Sequence, residues 1–324
     1  MKSISTLRWG ILGCARITRR GLIPGIRASA SGSLVALASR NAATALAWCA
    51  EFGVDRGYGS YEELLADPNV DAVYIPLPNE LHKTWVFAAA EAGKHVLCEK
   101  PLALNASEAQ EMVEECARRE VVLMEAFMWR HQPRTALIKS MVSGGSIGTL
   151  RLIRASFSFA IDPDDWRLDP ARGGGALWDV GCYGVSTARL FAGAEPEGMK
   201  AFARFGPSGV DVSTTAELMF PGGVLAQIDC SFEQPFRCAY ELVGTTGVIS
   251  VPDAYLPPEG LSFARWLAGG TVQDLSFEGT NQYAGMVDAF ADSVQAGGKL
   301  FSPSEDGLAQ MKVLDAVLAS ARSD

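Results

Sequence analysis

Histidine is scarce in this chain: His82, His95 and His131 are the three among 324 residues, which argues against a histidine-rich metal centre. The seven cysteines (Cys14, Cys49, Cys98, Cys116, Cys182, Cys230 and Cys238) are odd in number, scattered and without a C-x-x-C pair. Several fall in apolar runs. They are expected as reduced packing residues, not as disulfides or a zinc site, and no metal is expected. Excess positive charge is missing too. Lys and Arg total 28 against 37 Asp and Glu, a formal net charge of −9 with no basic block, which excludes a nucleic-acid footprint. No apolar run reaches membrane-spanning length. The opening MKSISTLRWGILG has few residues before its first apolar segment and lacks the hydrophobic stretch of an export signal. These absences lead to the expectation of a cytoplasmic protein with no membrane or nucleic-acid partner. There is no internal repeat and no low-complexity segment. What is present is an ordinary globular composition, 48% hydrophobic and 20% charged, in a chain long enough for two domains.

The first third alternates two periods. Strand-like runs at Leu7–Leu12, Ser33–Ala38, Ala72–Ile75, Val96–Cys98 and Val121–Met124, with a short one ending near Tyr58, are separated by helical stretches. Ser60 with Glu63, and Asn105 with Glu108, read as capping boxes. Strands and helices in this order predict right-handed crossovers and a parallel sheet covered on both faces. The first strand-to-helix turn is WGILGCARI. Gly10, Gly13 and Ala15 fit G-x-x-G-x-A, with Arg16 and Ile17 opening the helix. Small residues let such a turn approach a pyrophosphate, and the helix N-terminus offers unpaired N–H groups. The second strand ends at Ser39-Arg40, where an NAD-binding domain usually carries Asp or Glu. A hydroxyl and a guanidinium suit the 2′-phosphate of NADP, with NAD as a second possibility.

After about residue 125 the alternation stops. A helix over 133–142 and a long strand over 150–160 lead into a polar loop, IDPDDWRLDPARGGG, and a second helix, ALWDVGCYGVSTARLFAG. Strand-like stretches follow at 198–205, 212–220, 223–233, 237–243 and 247–251, with FPGG at 220–223 and GTTG at 244–247 as turns. Two helices, over 282–296 and 304–322, close the chain. The fold class is therefore α/β: a Rossmann doubly wound sheet over 1–124, then an α+β domain with a large, open, mostly antiparallel sheet over 125–324. Asp179 and Tyr183 stand four apart on the second helix, one turn from each other on one face. That spacing suits a polyol site, and equally a surface acid beside a packing tyrosine.

The stretch HVLCEKP ends a buried strand in Glu99-Lys100-Pro101. Proline pushes Lys100 toward extended geometry, and an X-Pro bond also admits the cis form. Taken in order, GILGCARI, VDAVYIPLPNELH, HVLCEKPL and DDWRLDPARGGGALWDVGCYG resemble the Gfo/Idh/MocA family over nearly the whole chain. The resemblance implies an NAD(P)-dependent oxidoreductase acting on CH–OH groups of sugars, inositols or their derivatives. It implies catalytic and substrate-binding roles for Lys100, Asp179 and Tyr183. Tyrosine at the last position matches a subgroup of aldose dehydrogenases, nucleotide-sugar 3-ketoreductases and dihydrodiol dehydrogenases. Tyr183 would exchange the substrate proton, Lys100 would favour its phenolate, and Asp179 would hold hydroxyls. Pro76, Leu77, Pro78, Asn79 and His82 after the fourth strand are expected along the cofactor, with Glu99 orienting the cofactor or the lysine. Trp166 and Arg167 are expected over the nicotinamide. The open sheet would join a homodimer or homotetramer. The out-of-class alternative is a non-catalytic NADP-binding regulator, which would have no use for the three catalytic groups.

Overall fold

In the computed structural model the structure describes residues 6–258, 261–279, 281–297 and 303–323. Residues 1–5, part of the stretch on which the export-signal reading rests, lie outside the described residues. The chain forms two units, Met1–His131 with Asn281–Leu308, and Gln132–Thr280 with Ala309–Asp324.

The first unit runs β1 (Leu7–Leu12), α1 (Ile23–Ala28), β2 (Gly32–Ala38), α2 (Ala42–Phe52), β3 (Arg56–Tyr58), α3 (Tyr61–Leu65), β4 (Ala72–Ile75), α4 (His82–Glu91), β5 (His95–Cys98), α5 (Ala106–Arg118) and β6 (Leu123–Glu125). The strands lie in the order β3-β2-β1-β4-β5-β6, all parallel. This is the doubly wound arrangement, with its topological switch between β1 and β4. All four residues of β4 are buried, as are Val96–Cys98 of β5, because helices cover both faces. The expected caps form. Ser60 Oγ accepts from Glu63 N at 3.2 Å, and Asn105 Oδ1 from Glu108 N at 2.9 Å. In return, Gly59 N donates to Glu63 Oε2 at 3.1 Å and Leu104 N to Glu108 Oε2 at 3.3 Å, one residue further out than in a capping box.

The second unit holds α6 (Pro133–Ser143), β7 (Leu150–Ser158), α7 (Cys182–Ala192), β8 (Gly198–Phe205), β9 (Asp211–Phe220), β10 (Val224–Ser231), β11 (Arg237–Gly244), β12 (Gly247–Val251), β13 (Leu261–Ala268) and β14 (Thr271–Glu278). Its eight strands are ordered β14-β13-β12-β11-β7-β10-β9-β8. Every neighbouring pair is antiparallel except β7 with β10. β13 and β14 have no counterpart among the strands read from sequence. Gly269 and Gly270, both at positive φ, turn this hairpin. On the inner face Ile153, Ala155, Ala216, Leu218, Ala226 and Ile228 are buried. α7 packs on β7 and β10.

The division expected after residue 124 differs from the observed one. The first unit continues to His131, and α8 (Gln282–Gln295) returns to it, packing on α1. Gly21 and Gly25 leave room there for Tyr283: a Cβ on either would lie within 2.5 Å of its side chain. The last helix, α9 (Pro303–Arg322), begins in the first unit and ends in the second.

Candidate active site

Ligands of doubly wound sheets bind beyond the carboxyl ends of the strands at the switch point. Here that edge carries Gly13 after β1 and Pro76 after β4. Gly13 has φ +120° and its N–H donates to Ala38 O at 3.0 Å. A Cβ there would meet Leu77 Cδ2 at 2.9 Å, so both conformation and space require glycine. Ala15 and Arg16 follow, and Ile17 leads into a π turn, Thr18–Leu22, that runs into α1. Gly10 has another role. It lies inside β1, and a Cβ on it would be 2.6 Å from Leu64 Cδ2, so its smallness seats α3. Cys14 lies on the turn, where burial pushes its thiol up to about 11, so it is inert rather than nucleophilic. None of the seven cysteines is in a disulfide. Among the described residues no group of three or more His, Cys, Asp or Glu is placed to hold a metal, and no helix is long and apolar enough to cross a membrane.

At the end of β2, Ser39 Oγ accepts from Asn41 N at 3.2 Å. Arg40 is exposed and its charge acts on the phenol of Tyr61, whose oxygen lies 3.5 Å from where a Gly13 Cβ would stand. Burial pushes the Tyr61 phenol up, and Arg40 opposes that. A guanidinium, a phenol and a glycine turn thus meet at one edge of the sheet. Tyr61 was absent from the sequence reading. Its position directly after the cap Ser60 was the available signal.

His82, expected along a cofactor, lies in the interior. It is fully buried. Its Nδ1 faces the carbonyls of Pro101 (3.0 Å) and Leu102 (3.3 Å), and its Nε2 that of Leu77 (2.8 Å). The imidazole therefore ties the loop after β4 to the loop after β5. Burial lowers its pKa, against the opposing pull of those carbonyls. Asn79 is buried as well. The Lys100–Pro101 peptide bond is cis. Glu99 accepts from the Tyr74 hydroxyl, and its other oxygen from Lys100 N at 3.3 Å. Burial and the adjacent Glu99 push the Tyr74 phenol well up, so it stays a donor. The buried Glu125 accepts from Leu102 N at 2.9 Å. Lys100 is thus borne on a backbone pinned by Tyr74 through Glu99, by His82 and by Glu125.

In the second unit, Leu177–Gly181 is a π turn that continues directly into α7. Such turns recur at functional sites because they shift side chains out of helical register. Asp179 sits in the π turn and Tyr183 on the α-helical part. The carboxylate of Asp179 is ion-paired with Arg167 Nε at 3.0 Å. Burial alone would lower the pKa of Arg167, but Asp179 and Asp165 outweigh it and hold the guanidinium charged. Arg167 also lies over the Trp166 ring, 4.8 Å from its centroid. Arg167 therefore bridges the Asp179 carboxylate and the Trp166 ring. Tyr183 is 6% exposed, against Phe157 (5.3 Å between centroids) and Tyr255 (4.8 Å).

Three further residues place this helix, and none was singled out from the sequence. Asp211 Oδ2 accepts from Leu177 N and from Thr214 Oγ1, each at 2.7 Å, and so caps the helix start from β9. Gly181 and Gly184 let the helix lie close on β10, where Cβ atoms would meet Cys230 Sγ at 2.8 Å and Ile228 Cγ2 at 2.5 Å.

A doubly wound sheet with a glycine turn at its switch point is the frame of a dinucleotide-binding domain. Residues 7–127 match the oxidoreductase family with an NAD-binding Rossmann fold, and residues 135–250 match the GFO/IDH/MocA C-terminal domain. The chain belongs to the GFO/IDH/MocA family. It is 38% identical to a D-xylose 1-dehydrogenase (NADP(+)) of Haloferax volcanii over 98% of both chains. It is 36% identical to a dTDP-3,4-didehydro-2,6-dideoxy-α-D-glucose 3-reductase of Saccharopolyspora spinosa, over 93% of this chain and 91% of the other. A crystal structure of a 3-ketoreductase from Actinomadura kijaniata, in complex with NADP and TDP-benzene, superposes with a TM-score of 0.90 at 34% identity over 98% of both chains.

Proposed function

We propose that this protein is an NADP-dependent dehydrogenase that oxidises the CH–OH carbon of an aldose or related polyol. The observation that carries the reading is the Arg167–Asp179 ion pair on the π turn, four residues before Tyr183. A carboxylate held in one orientation is suited to accept hydrogen bonds from a sugar's hydroxyls. The xylose dehydrogenase relative supports the substrate class, and the two relatives whose names carry NADP support the cofactor.

The residues present fit a dinucleotide. The Gly13 turn and the N–H groups of Ala15–Ile17 would take the pyrophosphate. Ser39, Arg40 and Tyr61 would take a 2′-phosphate, since no carboxylate stands there to repel it. NADP when bound supplies the hydride acceptor. The chain's own residues do the rest. Asp179 orients the hydroxyl-bearing substrate, Tyr183 takes the hydroxyl proton, and Lys100 contributes a fixed positive charge from a backbone that cannot shift. In the reverse direction Tyr183 returns the proton to a carbonyl oxygen. We also propose that the open face of the eight-stranded sheet carries a second copy of the chain. Phe202, Met219, Leu225, Leu267 and Val272 are exposed on it.

The test is steady-state kinetics with aldoses, polyols, dihydrodiols and nucleotide-linked ketosugars against both cofactors. Aldose turnover with NADP+ preferred is the expected result. Arg40→Ala should weaken NADP+ binding roughly ten- to hundred-fold, the worth of one charge-assisted hydrogen bond, and NAD+ binding much less. Turnover of a nucleotide-linked ketosugar without aldose activity would replace the substrate reading. An NAD+ preference in the wild type would overturn the cofactor reading.

A further inference from the structure

Tyr183 stands just past a change of winding. The π turn ends at Gly181 and α7 begins at Cys182, so Asp179 lies on one side of the junction and Tyr183 on the other. In a uniform α-helix two residues four apart differ by about 40° around the axis. A π turn winds differently, so the angle between carboxylate and phenol depends on how this junction is held. The near side has its own anchors, Asp211 at Leu177 N and Arg167 at Asp179. The far side is gripped from α9. Gln310 Nε2 donates to Cys182 O at 2.8 Å, the carbonyl of the peptide that carries the Tyr183 nitrogen. Gln310 is fully buried, and its amide has one orientation. Arg189 Nη1 donates to Gln310 Oε1 at 3.0 Å. A guanidinium accepts nothing, so the amide oxygen must face Arg189 and the amide NH2 must face Cys182 O. Turned over, the amide would set donor against donor and acceptor against acceptor. Arg189 is buried as well, and its Nε and Nη2 donate to the two oxygens of Glu195, each at 2.7 Å, which leaves Nη1 for the amide. A network thus runs from the half-exposed Glu195 through Arg189 and Gln310 to the backbone of Tyr183, all of it inside the second unit.

We propose that Gln310 is a positioning residue for Tyr183, and that Arg189 sets the direction in which its amide works. The inference rests on the reading that Tyr183 exchanges the substrate proton, and adds what holds the phenol in place. Gln310 acts through the Cys182 carbonyl. An apolar side chain of similar volume would fill the same space, but it would leave that carbonyl and Arg189 Nη1 without these bonds. A buried polar network whose members satisfy one another fixes a single geometry, which packing alone does not. On the other side of the same residue, Thr187 Oγ1 donates to Tyr183 O at 2.8 Å, so side chains hold the carbonyls on both sides of the Tyr183 nitrogen and α-carbon. Asp179 keeps its own anchors in Arg167 and, through the helix start, in Asp211. Loss of the Gln310 bond therefore moves the phenol relative to the carboxylate and leaves the carboxylate where it is. A displacement of about 1 Å at a reacting group costs up to about a hundred-fold in rate. The loss falls on kcat, while substrate affinity and cofactor affinity hold.

The test uses the full-length protein, with kcat taken per folded enzyme well below Tm. Gln310→Asn keeps the amide but is one methylene too short to span Arg189 and Cys182 O. Its kcat should fall roughly ten- to hundred-fold at every pH, with substrate KM and NADP+ Kd within about twofold of wild type. Gln310→Glu keeps the length and the acceptor facing Arg189, but sets a carboxylate oxygen against Cys182 O. Arg189 and Glu195 are the charged groups of the network around it. Protonation gives the new carboxyl an O–H that can donate to Cys182 O, so the ratio of its kcat to that of wild type should rise at least about tenfold from pH 8 to pH 5.5. The ratio removes the titration that both proteins share. A merely structural role would lower Tm without that recovery. If Gln310→Glu does not fold, the Asn variant decides by its kcat against its KM. A Gln310→Asn variant with wild-type kcat, or a Gln310→Glu ratio equal at the two pH values, overturns the assignment. Tyr183→Phe separates the two readings. If it loses turnover while both Gln310 variants keep theirs, only the Gln310 inference falls. If it keeps full turnover, the acid–base reading falls and this inference with it.

Discussion

Asp211 is where a single side chain sets the start of the helix bearing Asp179 and Tyr183, and its replacement has a calculable cost. The residue is 3% exposed, and one of its oxygens accepts from Leu177 N and Thr214 Oγ1, both at 2.7 Å. Asp211→Ala strands two buried donors. Each stranded donor costs about 1–3 kcal/mol, so the variant should lose about 2–6 kcal/mol. At about 2–4 °C per kcal/mol, Tm should fall by about 4–24 °C. Asp211→Asn keeps a carbonyl oxygen where the shared acceptor stands and should lose about 1 kcal/mol or less. The two variants also differ in pH dependence. Burial raises the carboxyl's pKa in the folded state, against the lowering effect of its hydrogen bonds. As pH falls, the folded form therefore takes its proton before the unfolded form does. Its contribution is full below the ordinary Asp range and is lost as pH rises through the raised value. The Asn variant, which does not titrate, should compare best with wild type near neutrality and worst in acid. Calorimetry across pH 4–8 measures this, with kcat taken well below Tm to read the helix position. An Ala variant that melts with wild type, or an Asn variant as damaged as Ala, would refute the capping role.

Lys100→Ala should fold, bind NADP and lose about two to four decades in kcat, read by fluorescence titration beside steady-state rates; near-wild-type turnover would remove Lys100 from the reaction. His82→Ala removes the buried N–H that the carbonyls around the ring share, so it should cost about 1–3 kcal/mol in denaturant unfolding. It should lower kcat more than it raises the cofactor Kd, because the loop it ties carries Lys100; unchanged kcat would make His82 a packing residue only. Gly13→Ala forces a side chain to φ +120° and against Leu77, a strain of about 1–3 kcal/mol. Isothermal titration should show cofactor affinity falling with stability, and unchanged affinity would place the pyrophosphate elsewhere.

Much of the fold could be read in one dimension because its signals are local. Alternating apolar periods marked β1 to β6, and cap residues such as Ser60 and Asn105 marked helix starts. The glycine at position 13 marked a turn that no other residue tolerates. β13 and β14 escaped because their outward residues are polar or exposed and only Gly269-Gly270 joins them, so the hydrophobic pattern there is thin. The site divides in the same way. Lys100, Asp179 and Tyr183 were singled out because the runs around them resemble the family's motifs. The partners that orient them were not. Arg167 meets Asp179 across 12 positions, Asp211 reaches Leu177 across 34, and Tyr74 reaches Glu99 across 25. Gly10, read from spacing as a cofactor residue, also leaves room for Leu64, because a glycine's spacing does not say which neighbour needs the room. Sequence alone determined the strands and helices of the first unit and which residues carry titratable groups, since both follow from composition within a turn or two of chain. Tertiary structure alone decided which charges are paired, which hydroxyls donate and which glycines serve packing. Those depend on atoms that only long-range strand order brings within about 3 Å.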